Sequence, residues 1–196
     1  MNRYRILRAA LYAAVSLLFV VAAAHGAERF RLIEWPKLAP KPDFHLLDAN
    51  HARRSMADYR GRVAVVFFGF THCPDVCPNE LFKLSQVLKR LGSVASRIQV
   101  LFVSLDPERD TPELLKSYVA AFDPRFVGLT GASADINGAA SGFSVQFAKV
   151  IQGNDYTINH STGAYILDKT GHLRLVATMQ TSIDDLVHDL EVLAAE

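Results

Sequence analysis

Cysteine is scarce in this chain of 196 residues: there are two, Cys73 and Cys77. That is too few for a four-thiolate structural zinc site. Neither sign of charge is in excess. Lysine plus arginine number 21 and aspartate plus glutamate 20, a formal net charge of +1. No basic stripe interleaved with aromatics occurs, so nothing speaks for nucleic acid as a partner. There is no internal repeat and no low-complexity tract. Half the residues are apolar and 21% are charged, a composition that supports a packed core.

One long apolar run stands out, at the N terminus. Arg3, Arg5 and Arg8 precede an apolar or small stretch from Ala9 to Ala24, the pattern of an export signal whose basic end stays in the cytoplasm. Ala24 and Gly26 suit cleavage after Gly26; extended by His25 to Ala27, the run serves equally as an uncleaved membrane anchor, and a buried helix of the domain is the plainer alternative. No cysteine follows the run, which excludes a lipid-anchored form. Residues 1–27 are therefore expected to be a signal peptide or anchor. Residues 28–42, with Pro36, Pro40 and Pro42, read as a linker, and residues 43–196 as one domain working outside the cytoplasm. A dithiol there tends to be oxidised unless something reduces or binds it.

Within the domain, Phe44–Leu47 and Arg54–Met56 can form a short hairpin turning at Asp48-Ala49-Asn50. Val63 to Phe70, VAVVFFGF, is too short for a helix and reads as a strand covered on both faces. Leu81, Leu84, Leu88 and Leu91 recur at helical spacing, so a helix is expected from Pro78 to Leu91, ended by Gly92. Ile98–Leu105 is a second buried strand. Thr111-Pro112 opens a helix to about Phe122, Phe126–Leu129 is a short strand, and Ser133 can cap a helix to about Phe147. Ala164–Leu167 and Leu173–Val176 flank the turn Asp168–Gly171, and Ser182 with Asp185 caps the last helix. The series indicates an α/β fold: a mixed central sheet with helices on both faces. A dithiol after the first buried strand, at the mouth of the next helix, is the thioredoxin-like arrangement, although the spacing is C-x-x-x-C rather than C-x-x-C.

Three chemistries compete for the pair. A structural crosslink would close a loop of about five residues, where the entropic gain is smallest. A redox dithiol is physically sound: Cys77 lies at a helix N-terminus, which favours a thiolate, and His72 can add positive charge. A metal clamp also works, since thiolates suit Cu(I) and an added imidazole allows Cu(II), but two ligands make a poor site. Of the seven histidines, His25 lies in the export segment, His45 and His51 in the weak hairpin, and His72 is too near Cys73 to reach round. His172 and His188 are expected to be solvated. His160 remains, at the entry to the strand Ala164–Leu167. In thioredoxin-like folds that entry faces the dithiol and usually carries a cis-proline. No proline occurs between Ile151 and Ala164, so His160 can point an imidazole at the sulfurs. A peroxidase-like reading of Phe70-Thr71-His72-Cys73-Pro74 is weakened by the second cysteine.

The stretches FFGFTHCPDVCPNEL, VSLDPERDTPELLKSYVAAFDPRFVGLTG and DYTINHSTGAYILDKTGHL resemble the Sco/SenC family of copper-binding assembly factors for cytochrome c oxidase. The resemblance covers residues 42–196. It implies a thioredoxin-like domain, usually with one N-terminal membrane anchor, placed on the periplasmic side of a bacterial inner membrane. It implies Cu(I) or Cu(II) bound by Cys73, Cys77 and His160, and a Cys73–Cys77 disulfide in the oxidised form. The implied partners are the copper-centre subunit of the oxidase and other copper chaperones; the role is to load its dinuclear centre, by copper transfer, thiol reduction or both. An exported thiol-disulfide oxidoreductase without copper is the competing function. Asn159 departs from the family, which commonly has aspartate there, and weakens any electrostatic help to a cation. Asp106, Arg109 and Asp110 match family features and read first as a loop and helix-entry network. Asp75 reads as a solvated turn carboxylate, or as a group that biases the thiols or shapes docking.

Overall fold

The computed structural model describes residues 30–196; the export segment expected over residues 1–27 lies outside them. Among the described residues no helix is long and apolar enough to cross a membrane. In chain order the elements are β1 (Ile33–Glu34), β2 (Leu46–Leu47), β3 (Arg53–Arg54), β4 (Val63–Gly69), α1 (Val76–Leu91), β5 (Ile98–Ser104), α2 (Pro112–Ala120) and β6 (Val127–Leu129). Then come α3 (Ser133–Gly142), β7 (Phe147–Gln152), β8 (Asp155–His160), β9 (Ala164–Leu167), β10 (Leu173–Ala177) and α4 (Ile183–Ala195).

The central sheet has the order β1-β10-β9-β4-β5-β6. β4, β5 and β6 are parallel, while β9, β10 and β1 continue the sheet antiparallel. Every residue of β4 and β5 is buried, and alternate side chains serve opposite faces. Val63, Val65, Phe67, Val100 and Phe102 share one core with Leu81, Leu84 and Leu88 of α1, Leu115 of α2 and Leu186 and Leu190 of α4. Ala64, Val66, Phe68, Leu101 and Val103 share the other with Phe44, Leu46 and Ile136, Ala139 and Phe143 of the α3 region. Helices therefore cover both faces, as the sequence pattern requires, and the fold is thioredoxin-like.

Two of the expected caps are present; the third is not, since Ala132 rather than Ser133 is the N-cap of α3 and no side chain bonds there. Thr111 accepts from the amide of Leu114 at 3.3 Å, with Pro112 following, and Ser182 accepts from Asp185 N at 3.1 Å. β2 and β3 form the N-terminal hairpin; the Asp48 carboxylate accepts from the amides of Asn50 and Ala52, at 2.8 and 3.0 Å, and closes its turn.

Four expectations change. The stretch read as a linker contributes edge strand β1, paired to β10, and the buried Asp189 carboxylate accepts from the amides of Arg31 and Leu32, at 2.9 and 2.8 Å. α1 starts at Val76 rather than Pro78, so Cys77 falls inside its first turn. The helix from Ser133 stops at Gly142, because Phe143 turns into the core and Ser144 adopts φ 58°. Instead of helix to Phe147 and then loop, residues 147–160 form the hairpin β7–β8, a two-stranded sheet separate from the central one.

Candidate metal centre

The β4 run ends at Gly69; beyond it the loop from Phe70 carries Cys73 and the first turn of α1 carries Cys77, at the C-terminal edge of the sheet. Cys73 N donates to Phe70 O at 3.2 Å, and Asp110, buried beneath, holds the loop's start. Its carboxylate accepts from Thr71 Oγ1 at 2.6 Å, Thr71 N at 3.1 Å and Ser104 Oγ at 2.6 Å. One helical turn separates the thiols, and Cys77 N donates to Cys73 Sγ at 3.4 Å. Both are free thiols; Cys73 is half-buried and Cys77 fully buried. Burial pushes the Cys77 thiol above its ordinary range, opposed in part by a backbone hydrogen bond at Phe70.

Gly69 makes room for that sulfur. A Cβ at this position would stand 2.7 Å from Cys77 Sγ and 2.9 Å from the Phe102 ring. This requirement for glycine was missed from sequence; its only signal is a glycine interrupting an otherwise apolar strand.

His160 closes β8 rather than lying in a loop. Its Nδ1 faces Ser161 O at 2.7 Å. A carbonyl only accepts, so Nδ1 carries the proton and Nε2 presents its lone pair. That Nε2 lies 4.0 Å from Cys77 Sγ. Burial lowers the imidazole's pKa from its ordinary value, against the opposite pull of the Ser161 carbonyl, so the ring is neutral at neutral pH. The Phe70 ring meets it edge-on at 6.0 Å. A shallow cleft of about 260 Å³ opens between Phe70, Cys73, Val76 and the β8 residues Ile158 and His160.

A borderline first-row ion with bonds of about 2.3 Å to sulfur and about 2.0 Å to nitrogen, at an angle of about 120°, holds those donors about 3.7 Å apart. The spacing of Cys77 and His160 fits. Cys73 is the open side of the trio: among the described residues, the one group of three ligand atoms mutually within 4.8 Å is His72, Asp106 and Asp110. In that group the donors are already in use. Asp110 is occupied as above, and Asp106 accepts from Arg109 Nε at 2.5 Å and Tyr156 OH at 2.8 Å. It is a polar network, in keeping with the plainer reading of the DPERD segment.

Asp75 is exposed and accepts from Asn79 Nδ2 at 2.6 Å. Asn159 points to the opposite side of β8 from His160 and is exposed. His45, His51 and His172 are exposed, and His51 pairs with Glu113. His188 corrects the expectation of a solvated residue: it is half-buried and bonded to Asp189 at 2.7 Å.

A thioredoxin-like domain that sets the buried sulfur of a C-x-x-x-C pair against a neutral imidazole brings together two donors that suit a soft metal ion. The family model SCO1/SenC matches residues 36–195, and the chain belongs to that family. Over 133 residues it is 41% identical to the human mitochondrial protein SCO2 homolog, a match covering 66% of this chain and 50% of that protein. The chain thus spans about half the length of that relative, and 64% of a SCO2-like protein of Rickettsia felis. Among solved structures it is similar to Bradyrhizobium japonicum ScoI with copper bound, at TM-score 0.73 and 35% identity, covering 79% of this chain and 99% of that one. It is also similar to apo Sco1 from Thermus thermophilus, at TM-score 0.75 and 33% identity, covering 86% and 99%.

Proposed function

We propose that this protein is an exported copper carrier and thiol-active assembly factor for the dinuclear copper centre of cytochrome c oxidase. Copper is its cargo, held by the thiolates of Cys73 and Cys77 and by His160 Nε2. The observation that carries the reading is the neutral imidazole nitrogen, 4.0 Å from Cys77 Sγ and aimed by the Ser161 carbonyl. Two soft thiolates and one imidazole suit Cu(I) and admit Cu(II). The half-buried Cys73 completes the set by turning toward the buried pair. Its exposure and the cleft beside it give an incoming thiol of the partner a route to the cargo. The similarity to a ScoI with copper bound supports the ligand chemistry. The N-terminal basic and apolar segment supports export, with the domain on the periplasmic side of a bacterial inner membrane, anchored or released. The partners are the copper-centre subunit of the oxidase and the chaperones that supply it.

Metal analysis of the reduced full chain tests this. One copper per chain is expected in the wild type, none in Cys73→Ala/Cys77→Ala, and weakened binding in His160→Ala. Near-normal copper in the double cysteine variant overturns the site. No copper in the wild type, with dithiol exchange unaffected by His160→Ala, replaces it with a thiol-disulfide oxidoreductase.

A further inference from the structure

The two halves of the site come from different parts of the fold. The cysteines follow β4 of the central sheet, whereas His160 rides on β7–β8, which shares no strand ladder with that sheet. Apart from the short run of chain from His160 into β9 at Ala164, the position of the imidazole relative to the central sheet is set by side-chain contacts. Ile158, 5% exposed, enters the second core, and Phe147 and Tyr156 pack against it; these apolar contacts seat the hairpin.

A polar chain adds a directional constraint. Tyr156, on β8, donates its hydroxyl to Asp106 at 2.8 Å. Arg109 donates to the other oxygen of Asp106, stacks on the Tyr156 ring at 3.7 Å, and reaches Tyr156 O at 3.2 Å and Asp155 at 3.1 Å. Asp106 N in turn donates to Ser104 Oγ at 2.9 Å, and Ser104 donates to Asp110. Asp110 is the residue that accepts from Thr71 in the cysteine loop. One continuous path thus runs from the histidine hairpin to the cysteine loop through the segment between β5 and α2. Asp106 and Asp110 are each 1% exposed, so the bonds to these two carboxylates are shielded from competing water.

We infer that Tyr156 and Arg109 are positioning residues for His160, coupling the hairpin to the cysteine loop so that the imidazole and the sulfurs keep a common frame. This rests on the reading of His160 as a copper ligand. Tyr156→Phe retains the stacked ring and deletes only the hydroxyl. Groups that orient metal ligands change affinity by about 10- to 100-fold when removed; about tenfold is expected here, because Tyr156 acts four residues from the ligand.

The test is a cycle of four full-length proteins: wild type, Tyr156→Phe, His160→Ala and the double variant. Each is titrated with Cu(I) against a chromophoric chelator, and the Cu(II) forms are compared by the nitrogen hyperfine pattern in their EPR spectra. Tyr156→Phe is expected to lower affinity about tenfold and to weaken the nitrogen pattern. In the His160→Ala background the same change should cost less than about twofold, because the residue it positions is gone. An equal loss in both backgrounds, or no loss in either, overturns the inference. If His160→Ala binds copper as tightly as wild type, the ligand reading fails and the inference with it, a result the cycle separates from the other two. Should Tyr156→Phe not fold, Arg109→Lys, which keeps the charge but not the planar stacked fork, is measured in the same cycle with the same outcomes.

Discussion

Gly69→Ala is a one-carbon test of how the site is built. Gly69 stands opposite Ser104 at the end of the β4–β5 ladder, so its backbone is held by the sheet. The added methyl would meet Cys77 Sγ at 2.7 Å and two atoms of the Phe102 ring at 2.9 and 3.2 Å. Ordinary contact begins at 3.4 Å, so the sulfur must retreat by about 0.7 Å. The ring has nowhere to go: Phe102 is fully buried and lies 6.1 Å from the Phe67 ring and 5.6 Å from Tyr118. Overpacking of this kind costs about 1–3 kcal/mol, which lowers the urea midpoint by about 1 M at ordinary m-values. A ligand sulfur moved that far also leaves its spacing to His160, and copper affinity should fall by about 10-fold or more. The assays are urea unfolding of the metal-free full chain and competitive Cu(I) titration. Gly138→Ala is the control. That glycine lies inside α3 with nothing within 4 Å of a new Cβ, so the change should stabilise by about 0.4–1 kcal/mol and leave copper untouched. If Gly69→Ala matches wild type in both midpoint and affinity, the sulfur is not seated by the missing side chain and the packing argument is wrong.

Two further expectations concern the thiols and the chain's entry. Limited alkylation of the metal-free reduced protein at pH 7.5, read by peptide mass spectrometry, should label Cys73 at least roughly tenfold faster than Cys77, whose sulfur is sealed and whose thiol stays protonated; faster labelling of Cys77 would refute its burial. Asp189→Ala removes the acceptor of the Arg31 and Leu32 amides and should cost about 3 kcal/mol, a fall in Tm of about 9 °C for a domain of this size, with faster amide exchange at those two residues. Unchanged exchange there would mean that the carboxylate does not hold the segment.

What could be read from the residues depended on burial. β4 and β5 were legible because both faces are covered, leaving unbroken apolar runs. The caps at Thr111 and Ser182 were legible because capping is local. The β7–β8 hairpin was not: five of the six β7 residues are exposed, so no alternating pattern marks it. Gly153, at φ 62° between Val150-Ile151 and Tyr156-Thr157-Ile158, was the available turn signal. β1 was hidden for a similar reason, being two exposed residues in a proline-rich stretch. For the site, histidine counting singled out His160, whose Nε2 lies 4.0 Å from Cys77 Sγ. The Ser161 carbonyl, the space at Gly69 and the Tyr156–Asp106 bond join residues distant in sequence, or backbone to side chain, and no spacing rule announces them.

The hairpin's independence from the central ladder has a consequence for how cargo changes hands. Because His160 belongs to a flap rather than to the main sheet, the nitrogen donor can withdraw without breaking the central strand ladder, at the cost of loosening one core where Ile158 enters it. Melting temperature and dissociation rate thus become separately adjustable properties: substitutions along the flap's latch change how long the ion resides, and substitutions in the two cores change how long the fold lasts.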